Sequence, residues 1–191
     1  AHQKGIKNIF VTNGFASREV VEDMSGIIDA LNVDIKSFNK TYTKKNLGGS
    51  LESLLENLKA WKKKGMWLEI TTLIVPTQND SEEELHAIAS FIADELGVDT
   101  PWHLSAFHPD FHEQHLPHTP LSTLKRAYEI GKNAGLHHIY IGNAGVENAT
   151  YCFTCKNILI ERKGFEVIEN FVEESRCPKC KTPLAGVFDE Y

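Results

Sequence analysis

Short apolar runs alternate with amphipathic helical segments along most of the chain, and this alternation constrains the fold more than any other feature. The apolar runs predict strands at residues 8–12, 30–35, 67–75, 101–107 and 138–141. Helical segments separate most of them, and strands that alternate with helices form a parallel sheet with right-handed crossover connections. The predicted fold class is therefore α/β.

Helix start signals support this alternation. Ser17, Ser50 and Ser81 are predicted N-caps, and Glu84 completes a capping box with Ser81. Thr119 is the predicted N-cap of the last helix, with Pro120 at its first helical position. After Ser17, one apolar helix face is predicted from Val20, Val21, Met24, Ile27 and Ile28.

Five strands are too few for a complete eight-stranded barrel, so an open or partial barrel, or a doubly wound sheet, fits better. Residues 1–5 resemble the end of a helix with Gly5 after it, which predicts that the chain is a cut piece of a longer protein. As a partial parallel (βα) barrel, residues 1–145 would lack the first strands. Residues 146–191 form a separate predicted unit, with a linker through residue 151.

All four cysteines lie in this last part of the chain. Cys152, Cys155, Cys177 and Cys180 form two C-x-x-C pairs with 21 residues between the pairs. Each pair can direct two thiolates to one point, and two pairs joined by a hairpin complete a tetrahedral zinc-ribbon site. Hairpin strands are predicted at residues 158–160 and 165–168. We expect structural zinc, with rubredoxin-like iron as the other choice and disulfides disfavoured outside an oxidising compartment.

The overall composition indicates an ordinary globular protein. Of the 191 residues, 41% are hydrophobic, and the formal net charge of −6 argues against a broad nucleic-acid-binding face. No apolar run approaches the roughly 18 residues of a membrane helix, and no signal peptide is recognised. A cytoplasmic location without a membrane or nucleic-acid partner is therefore expected.

Polar residues follow several predicted strands at their carboxyl ends, where parallel α/β sheets hold their sites. Thr12 and Asn13 follow the first strand, Asp34 and Lys36 the second, and His108 the fourth. A carboxylate beside an ammonium group can bind a zwitterionic ligand, but it can also be an ordinary solvated ion pair. The pattern alone leaves both interpretations open.

A cluster of histidines offers a competing hypothesis. Residues His103, His108, His112, His115 and His118 crowd one segment, and imidazoles at such spacing can bind zinc or iron. Prolines at positions 109, 117 and 120 mark this segment as a loop without helical spacing between ligands. The corresponding alternative function is a metal-dependent barrel lyase or hydrolase that uses the loop 103–118.

An ordered set of short motifs resembles a known family. The motifs are the sequence T-N-G-F from Thr12, D-I-K from Asp34, V-P from Val75 with Asn79 and Asp80 behind it, and F-H ending at His108. Over about residues 1–142, the chain resembles the pyruvate-formate-lyase-activating group of radical S-adenosylmethionine enzymes. The four-cysteine tail and the segment 102–110 are closer to the subgroup called AmmeMemoRadiSam.

The resemblance implies roles for particular residues. Asp34 and Lys36 match the acid and the lysine that hold the methionine part of S-adenosylmethionine, and Thr12 and Asn13 belong to the matched T-N-G motif. His108 matches a histidine near the cofactor, and Leu73 matches a residue whose backbone meets the adenine side. The implied reaction is reductive cleavage of S-adenosylmethionine, followed by hydrogen-atom abstraction from a substrate that can be a protein.

The resemblance also shows what this chain lacks. The family holds its four-iron cluster with C-x-x-x-C-x-x-C, and no such motif occurs here. Val11 and Thr71 stand where the family has an aspartate and an arginine. We therefore expect the missing N-terminal segment of the same protein to carry the cluster, and this chain alone to be inactive. A non-enzymatic role of the zinc ribbon in recruiting a partner is a further alternative.

Overall fold

The computed structural model describes residues 1–146, 148–164 and 166–188, apart from the side chain of His2. Its larger sheet has five strands and its smaller sheet has three. The five strands are β1 (Ile9–Thr12), β2 (Ala30–Asp34), β3 (Trp67–Ile74), β4 (Trp102–Ala106) and β5 (Ile139–Gly142). The three strands are β6 (Thr150–Tyr151), β7 (Ile158–Lys163) and β8 (Glu166–Asn170).

The larger sheet is parallel throughout, and its strands lie in the order in which they follow one another in the sequence. A doubly wound sheet reverses its strand order at a switch point, and the described strands contain no such reversal. Sequential parallel order is the arrangement of a (βα) barrel. The expected partial barrel is therefore confirmed.

Five α-helices accompany the sheet. They are α1 (Arg18–Asp23), α2 (Lys40–Asn46), α3 (Leu51–Lys63), α4 (Glu82–Phe91) and α5 (Leu121–Asn133). A π-helical segment, Ile92–Leu96, continues α4, and short 3₁₀ turns occupy His2–Lys4 and Phe111–Glu113.

The core lies between one face of the sheet and these helices. Alternate residues of β3 are buried, as expected for a strand with one face in the core. Trp61 of α3 and Trp102 of β4 are among the largest fully buried side chains. The indole nitrogen of Trp102 donates to Thr72 Oγ1 at 2.9 Å, so its polar atom is satisfied inside the core.

The predicted helix starts are correct in three cases. Ser17, Ser50 and Ser81 each accept a backbone hydrogen bond as N-cap. The capping box at Ser81 is incomplete, however, because the Glu84 carboxylate binds Ser37 Oγ at 2.6 Å and the Phe38 N–H at 2.7 Å. Glu84 thus fastens α4 to the segment after β2.

Thr119 is not the N-cap of α5, because Pro120 holds that position without a side-chain cap. Its hydroxyl instead donates to the Ile74 carbonyl at 2.5 Å and accepts from the Phe107 N–H at 2.8 Å. Long-range hydrogen bonds between strand ends therefore take priority over the local capping pattern. Thr119 joins the carboxyl ends of β3 and β4.

Other sequence predictions were wrong in detail. Helix α1 ends at Asp23, and Val20 and Ile27 are exposed, so the predicted five-residue apolar face does not form. Helix α2, capped by Asn39, was not predicted. His138, just before β5, is only 7% exposed.

The smaller sheet is an antiparallel arrangement of β6, β7 and β8. It contains the predicted hairpin, but β7 extends to Lys163, and β6 lies where a linker was expected. Phe165, predicted to begin the second hairpin strand, lies outside the described residues. None of the described helices has the length and apolarity required to cross a membrane.

Strand β1 lies at one edge of the five-stranded sheet and pairs only with β2 among the described strands. Ile9 is 66% exposed, Phe10 is 48% exposed and Val11 is 80% exposed. Within the described part of the chain, β1 is therefore an edge strand, as a partial barrel that lacks its first strands requires.

Candidate functional site

The strand register places the predicted cofactor residues along one edge of the parallel sheet. Asp34 at the end of β2 pairs with Thr71, and Leu73 near the end of β3 pairs with Ser105 of β4. The carboxyl ends of β2, β3 and β4 therefore lie at the same edge. Lys36 and His108 follow β2 and β4 directly, so the sequence places them at this carboxyl edge as well.

Asp34 and Lys36 form an ion pair at this edge, and both side chains remain partly exposed. They line a cavity of about 290 Å³ together with Asn13. Its other walls come from the segment after β1, from the α2 region and from α3, at Phe15, Ser37, Thr43, Asn46, Leu47 and Leu54. The volume is near the lower end of the range for small-molecule pockets. The cavity offers a carboxylate and an ammonium group to a zwitterionic ligand.

The backbone around Lys36 is fixed by the buried side chain of Asn79, which is 2% exposed. Asn79 Nδ2 donates to the carbonyl oxygens of Lys36 and Leu73, each at 2.7 Å. Asn79 Oδ1 accepts from the Val75 N–H at 2.6 Å. One amide group thus joins the segment after β2 to the end of β3 and sets the position of both predicted cofactor-contacting residues.

A tight turn after β1 positions Asn13. Thr12 Oγ1 accepts from the Gly14 N–H and Asn13 Oδ1 accepts from the Phe15 N–H, each at 3.1 Å. Gly14 has a φ of +74°, and a Cβ atom there would lie 2.2 Å from a methyl carbon of Leu54. The glycine of the T-N-G motif is therefore required both for the turn and for close packing against α3.

The other predicted cofactor residues do not line this cavity. Leu73 is linked to it through Asn79. His108 lies in an exposed loop, where its Nδ1 is 3.0 Å from the Pro109 carbonyl oxygen and its ring meets His118 edge-on at 4.3 Å. The roles of Thr12, Asn13, Asp34, Lys36, Leu73 and His108 in binding a cofactor remain predictions.

The five histidines of segment 103–118 do not converge. His103 belongs to β4 and contacts Glu69 of β3, with 2.8 Å between Nε2 and Oε2. His112 packs against Phe111 in the exposed loop. Within the described residues, the group of side chains close enough to share a metal ion is formed by the cysteines. The arrangement gives no support to a metal site in the histidine loop.

The four cysteine sulfur atoms lie within 4.8 Å of one another and form no disulfide. The sulfurs of Cys152 and Cys180 are 3.6 Å apart, as are those of Cys155 and Cys177. A tetrahedral site with metal–sulfur bonds of about 2.3 Å requires sulfur–sulfur distances of about 3.8 Å. The four thiols are therefore clustered closely enough to share a single metal ion, and this clustering agrees with the spacing of the two cysteine pairs.

The two cysteine pairs have matching backbone turns. Lys156 donates its N–H to the Cys152 carbonyl, and Lys181 donates its N–H to the Cys177 carbonyl, each at 2.9 Å. Both lysines have φ near +60°. Each C-x-x-C pair is thus a closed turn that holds its two sulfurs on one side, and a site closed by four such ligands leaves no open position for catalysis.

Thiol acidity differs across the site. A hydrogen bond with the Thr182 hydroxyl, 3.1 Å away, lowers the pKa of Cys180 to about 6. The Asn157 backbone N–H lowers the pKa of Cys155, but burial and the neighbouring thiols outweigh it and raise the value to about 11. Of these two thiols, Cys180 is therefore the one more readily present as the thiolate that a metal requires.

Two sets of contacts at the sheet were not predicted from the sequence. The fixing of Lys36 and Leu73 by Asn79 became visible only once the strand ends were placed side by side. The Glu69–His103 contact joins residues 34 positions apart. The sequence carries one signal of this contact, which is the alternation along β3 and β4. It places Glu69 and His103 on the sheet face opposite the helices.

Comparisons with known proteins agree with the fold. Residues 1–91 match the family model described as the radical SAM superfamily. An uncharacterized protein of Methanocaldococcus jannaschii is 42% identical over an alignment of 184 positions that covers 94% of this chain. The chain spans only about half, 54%, of that curated relative's length.

Solved structures share the architecture. A domain of a pyruvate-formate lyase-activating enzyme from Bacteroides vulgatus matches with a TM-score of 0.64 at 20% identity, over 74% of this chain and 84% of that one. A radical SAM methyltransferase from Sphaerobacter thermophilus matches with a TM-score of 0.54 at 13% identity, over 71% of this chain and 40% of that one. Residues 1–91 are therefore similar to the radical SAM superfamily, and the parallel sheet shares the fold of the pyruvate-formate lyase-activating enzyme domain.

Proposed function

We propose that this chain is the S-adenosylmethionine-binding and substrate-facing part of a radical enzyme that abstracts hydrogen atoms, of the glycyl-radical activase type or a related type. The observation that carries the proposal is the Asp34–Lys36 ion pair in a cavity at the carboxyl edge of a radical-SAM-type sheet. When bound with a reduced cluster, S-adenosylmethionine supplies the radical that removes a hydrogen atom from the substrate.

Asp34 and Lys36, which we call the rim residues, bind different groups of the ligand. The Asp34 carboxylate accepts hydrogen bonds from the ligand's amino group, and the Lys36 ammonium group pairs with the ligand's carboxylate. Without a ligand the two side chains form an ion pair with each other. A bound zwitterion replaces this single ion pair by two, one with each side chain. Asn79 holds the Lys36 backbone in place during this exchange.

The chain's own cysteines do not fit a four-iron cluster with one open iron. A single metal ion bound by all four clustered thiols has no open coordination position for a cofactor. We therefore propose that a further segment of the same protein carries the cluster, and that this chain alone does not cleave S-adenosylmethionine. Anaerobic reconstitution with iron and sulfide tests this point, because a four-iron signal that responds to the cofactor would contradict it.

For the four-cysteine site we propose structural zinc. Four thiolates suit both zinc and rubredoxin-like iron, but closed ribbon sites are usually zinc sites. Elemental analysis of protein purified without added metal is expected to give one zinc per chain. A preparation with iron in its place would change the metal, and one with neither metal would refute the site.

The proposed role of Asp34 and Lys36 is tested by calorimetry with S-adenosylhomocysteine, whose binding needs no cluster. We expect Lys36→Met and Asp34→Asn each to weaken binding at least about tenfold, equivalent to about 1.4 kcal/mol. Lys59→Met is the matched control, because Lys59 forms a similar pair with Glu56 on the surface of α3. Absence of binding by the unmodified chain, or equal affinities of the Lys36 and Lys59 variants, would refute the assignment.

A further inference from the structure

The sheet face opposite the helices has a polar centre. Register pairs Asn32 with Glu69, and it aligns Asp34, Thr71, His103 and Tyr140 in one row across β2 to β5. The interior of a filled (βα) barrel is packed mainly with branched apolar side chains. Half-buried polar side chains in this place indicate a face that lines a cavity and contacts a polar ligand.

His103 is oriented on this face by Glu69. Their side chains meet at 2.8 Å, and the second Glu69 oxygen accepts from the Trp67 indole N–H at 3.1 Å. Because the carboxylate is the acceptor, His103 carries a proton on Nε2 and in its neutral form presents the Nδ1 lone pair. Within the described chain no hydrogen bond to that Nδ1 is recorded, so it is available to a ligand that donates.

The smaller sheet supplies a cation to the same face. Tyr140 stacks on His103 with 5.2 Å between ring centroids, and the Arg162 guanidinium lies 5.6 Å from the Tyr140 ring centroid. Thr150 Oγ1 fixes both, at 2.9 Å from the Tyr140 hydroxyl and at 2.8 Å from an Arg162 nitrogen. Arg162 donates to Thr150 through one nitrogen, which leaves other N–H groups without a recorded partner in the described residues.

These side chains line an open trough of about 1910 Å³ between the two sheets. His138 also lines it, and its Nε2 is buried without a hydrogen-bond partner in the described part of the chain. Buried polar atoms in folded proteins are normally paired with protein, water or ligand. The unpaired His138 nitrogen is closed to solvent, as is the indole nitrogen of Trp61, also unpaired among the described residues, so the proposed contacts of the trough are those of His103 and Arg162.

We propose that the trough is a binding site for a small hydroxylated organic anion, with Arg162 of β7 binding its carboxylate or phosphate and His103 Nδ1 accepting a hydrogen bond from an O–H or N–H group. The ligand lies along Tyr140, which separates the two polar contacts. The site is composite, since neither sheet has both contacts. It includes neither Asp34 nor Lys36, so a test of this site can succeed or fail independently of a test of the proposed function.

Gluconate, which carries a carboxylate on a chain of hydroxyl groups, is the first probe. Its binding to the unmodified chain is followed by NMR of the histidine side chains. Glucose, which lacks the carboxylate, and acetate, which lacks the hydroxyl groups, are the control ligands. We expect gluconate to shift the His103 resonances and to bind at least about tenfold more tightly than glucose or acetate. A sugar phosphate replaces gluconate to distinguish a phosphate site from a carboxylate site.

Two variants make the site falsifiable. Arg162→Gln is expected to weaken gluconate binding at least about tenfold. Lys163→Gln, the adjacent exposed position on β7, is the control and leaves binding unchanged. Glu69→Gln is expected to weaken binding and to change the His103 nitrogen shifts that report the tautomer. Failure of both gluconate and the sugar phosphate to bind, or equal affinities of the Arg162 and Lys163 variants, would overturn the proposal.

Discussion

Asp34 and His103 lie in one row of the parallel sheet, two strands apart, with Thr71 between them. Neighbouring strands are about 4.8 Å apart, so the backbones at these two residues are separated by about 10 Å. A ligand at the Asp34–Lys36 pair and a second molecule at His103 would therefore be close neighbours. The row connects the proposed cofactor rim to the proposed anion site.

The first prediction concerns Asn79. Replacement by alanine removes three hydrogen bonds of a buried amide and leaves the Lys36 and Leu73 carbonyls unpaired. We expect Asn79→Ala to lower the free energy of unfolding by about 2–4 kcal/mol, measured by urea denaturation. Gln78→Ala, at the exposed adjacent position, is the control and changes stability little.

Binding of S-adenosylhomocysteine adds a second measurement for Asn79. If the amide positions Lys36, the variant binds more weakly at temperatures where it is fully folded. Unchanged stability would contradict the hydrogen-bonding role. Unchanged binding by a folded variant would show that the Lys36 backbone does not need this support.

The second prediction concerns metal removal. Phe153, inside the first cysteine pair, stacks on His137 with 3.9 Å between ring centroids, and Thr150 contacts Tyr140. Removing the metal with a chelator is expected to unfold the smaller sheet and to release both contacts, because structural metal binding is coupled to folding. Hydrogen exchange should then lose protection at residues 150–184 and keep it in β2, β3 and β4.

Variants within the first cysteine pair provide the comparison. Cys155→Ser should reproduce the effect of the chelator without its addition, whereas Thr154→Ala, at an exposed position between the cysteines, should retain metal and protection. Full protection of residues 150–184 in metal-free protein would show that the smaller sheet folds without the ion.

The third prediction is a pH dependence that arises from His138. Burial lowers the pKa of His138 below its usual value of 6.5, against a smaller opposing effect of Asp99. His137, Lys132 and Glu69 also act on it. The unfolded chain therefore binds a proton more readily than the folded one, and stability falls as the pH drops below about 6.5.

Urea denaturation between pH 7.5 and 5.5 measures this effect. We expect His138→Phe to flatten the dependence, while His86→Phe, at an exposed position on α4, keeps it. Glu69 has a lowered pKa, chiefly because of its hydrogen bond with His103, so its own contribution is lost only below about pH 4.5 and does not overlap this window. Identical slopes for the His138 variant and the unmodified chain would contradict the account.

Much of the fold was predictable because its determinants are local. The spacing within each C-x-x-C pair fixes a turn, and strand–helix alternation fixes a parallel sheet. Caps at Ser17, Ser50 and Ser81 were likewise visible in the sequence. Each of these signals depends on residues only a few positions apart.

The failures share one physical cause, which is that tertiary partners compete for the same polar groups. Glu84 leaves its capping box for Ser37, 47 residues away, and Thr119 leaves the helix end for Ile74, 45 residues away. The same holds for the Glu69–His103 contact that orients the proposed anion site. No spacing rule reports such pairs, because they exist only after the strands have been placed side by side.

The last prediction concerns the two edges of the larger sheet, which differ. At β5 the Asn148 side chain bonds both backbone groups of Ile141, at 3.0 Å and 2.6 Å, and so imitates a neighbouring strand. No described strand covers the outer edge of β1, where Val11 is 80% exposed. An uncovered apolar edge pairs readily with another chain.

We therefore expect this chain to self-associate through β1 and expect Val11→Lys to weaken that association at least about tenfold, measured by sedimentation across a concentration series. Val187→Lys is the control, because Val187 is also an exposed valine, at 66%, but lies outside the larger sheet and should leave association unchanged. In a longer protein whose preceding segment pairs with β1, the tendency should disappear. A chain that stays monomeric at every concentration, or that associates equally in both variants, would show that the β1 edge is not the contact.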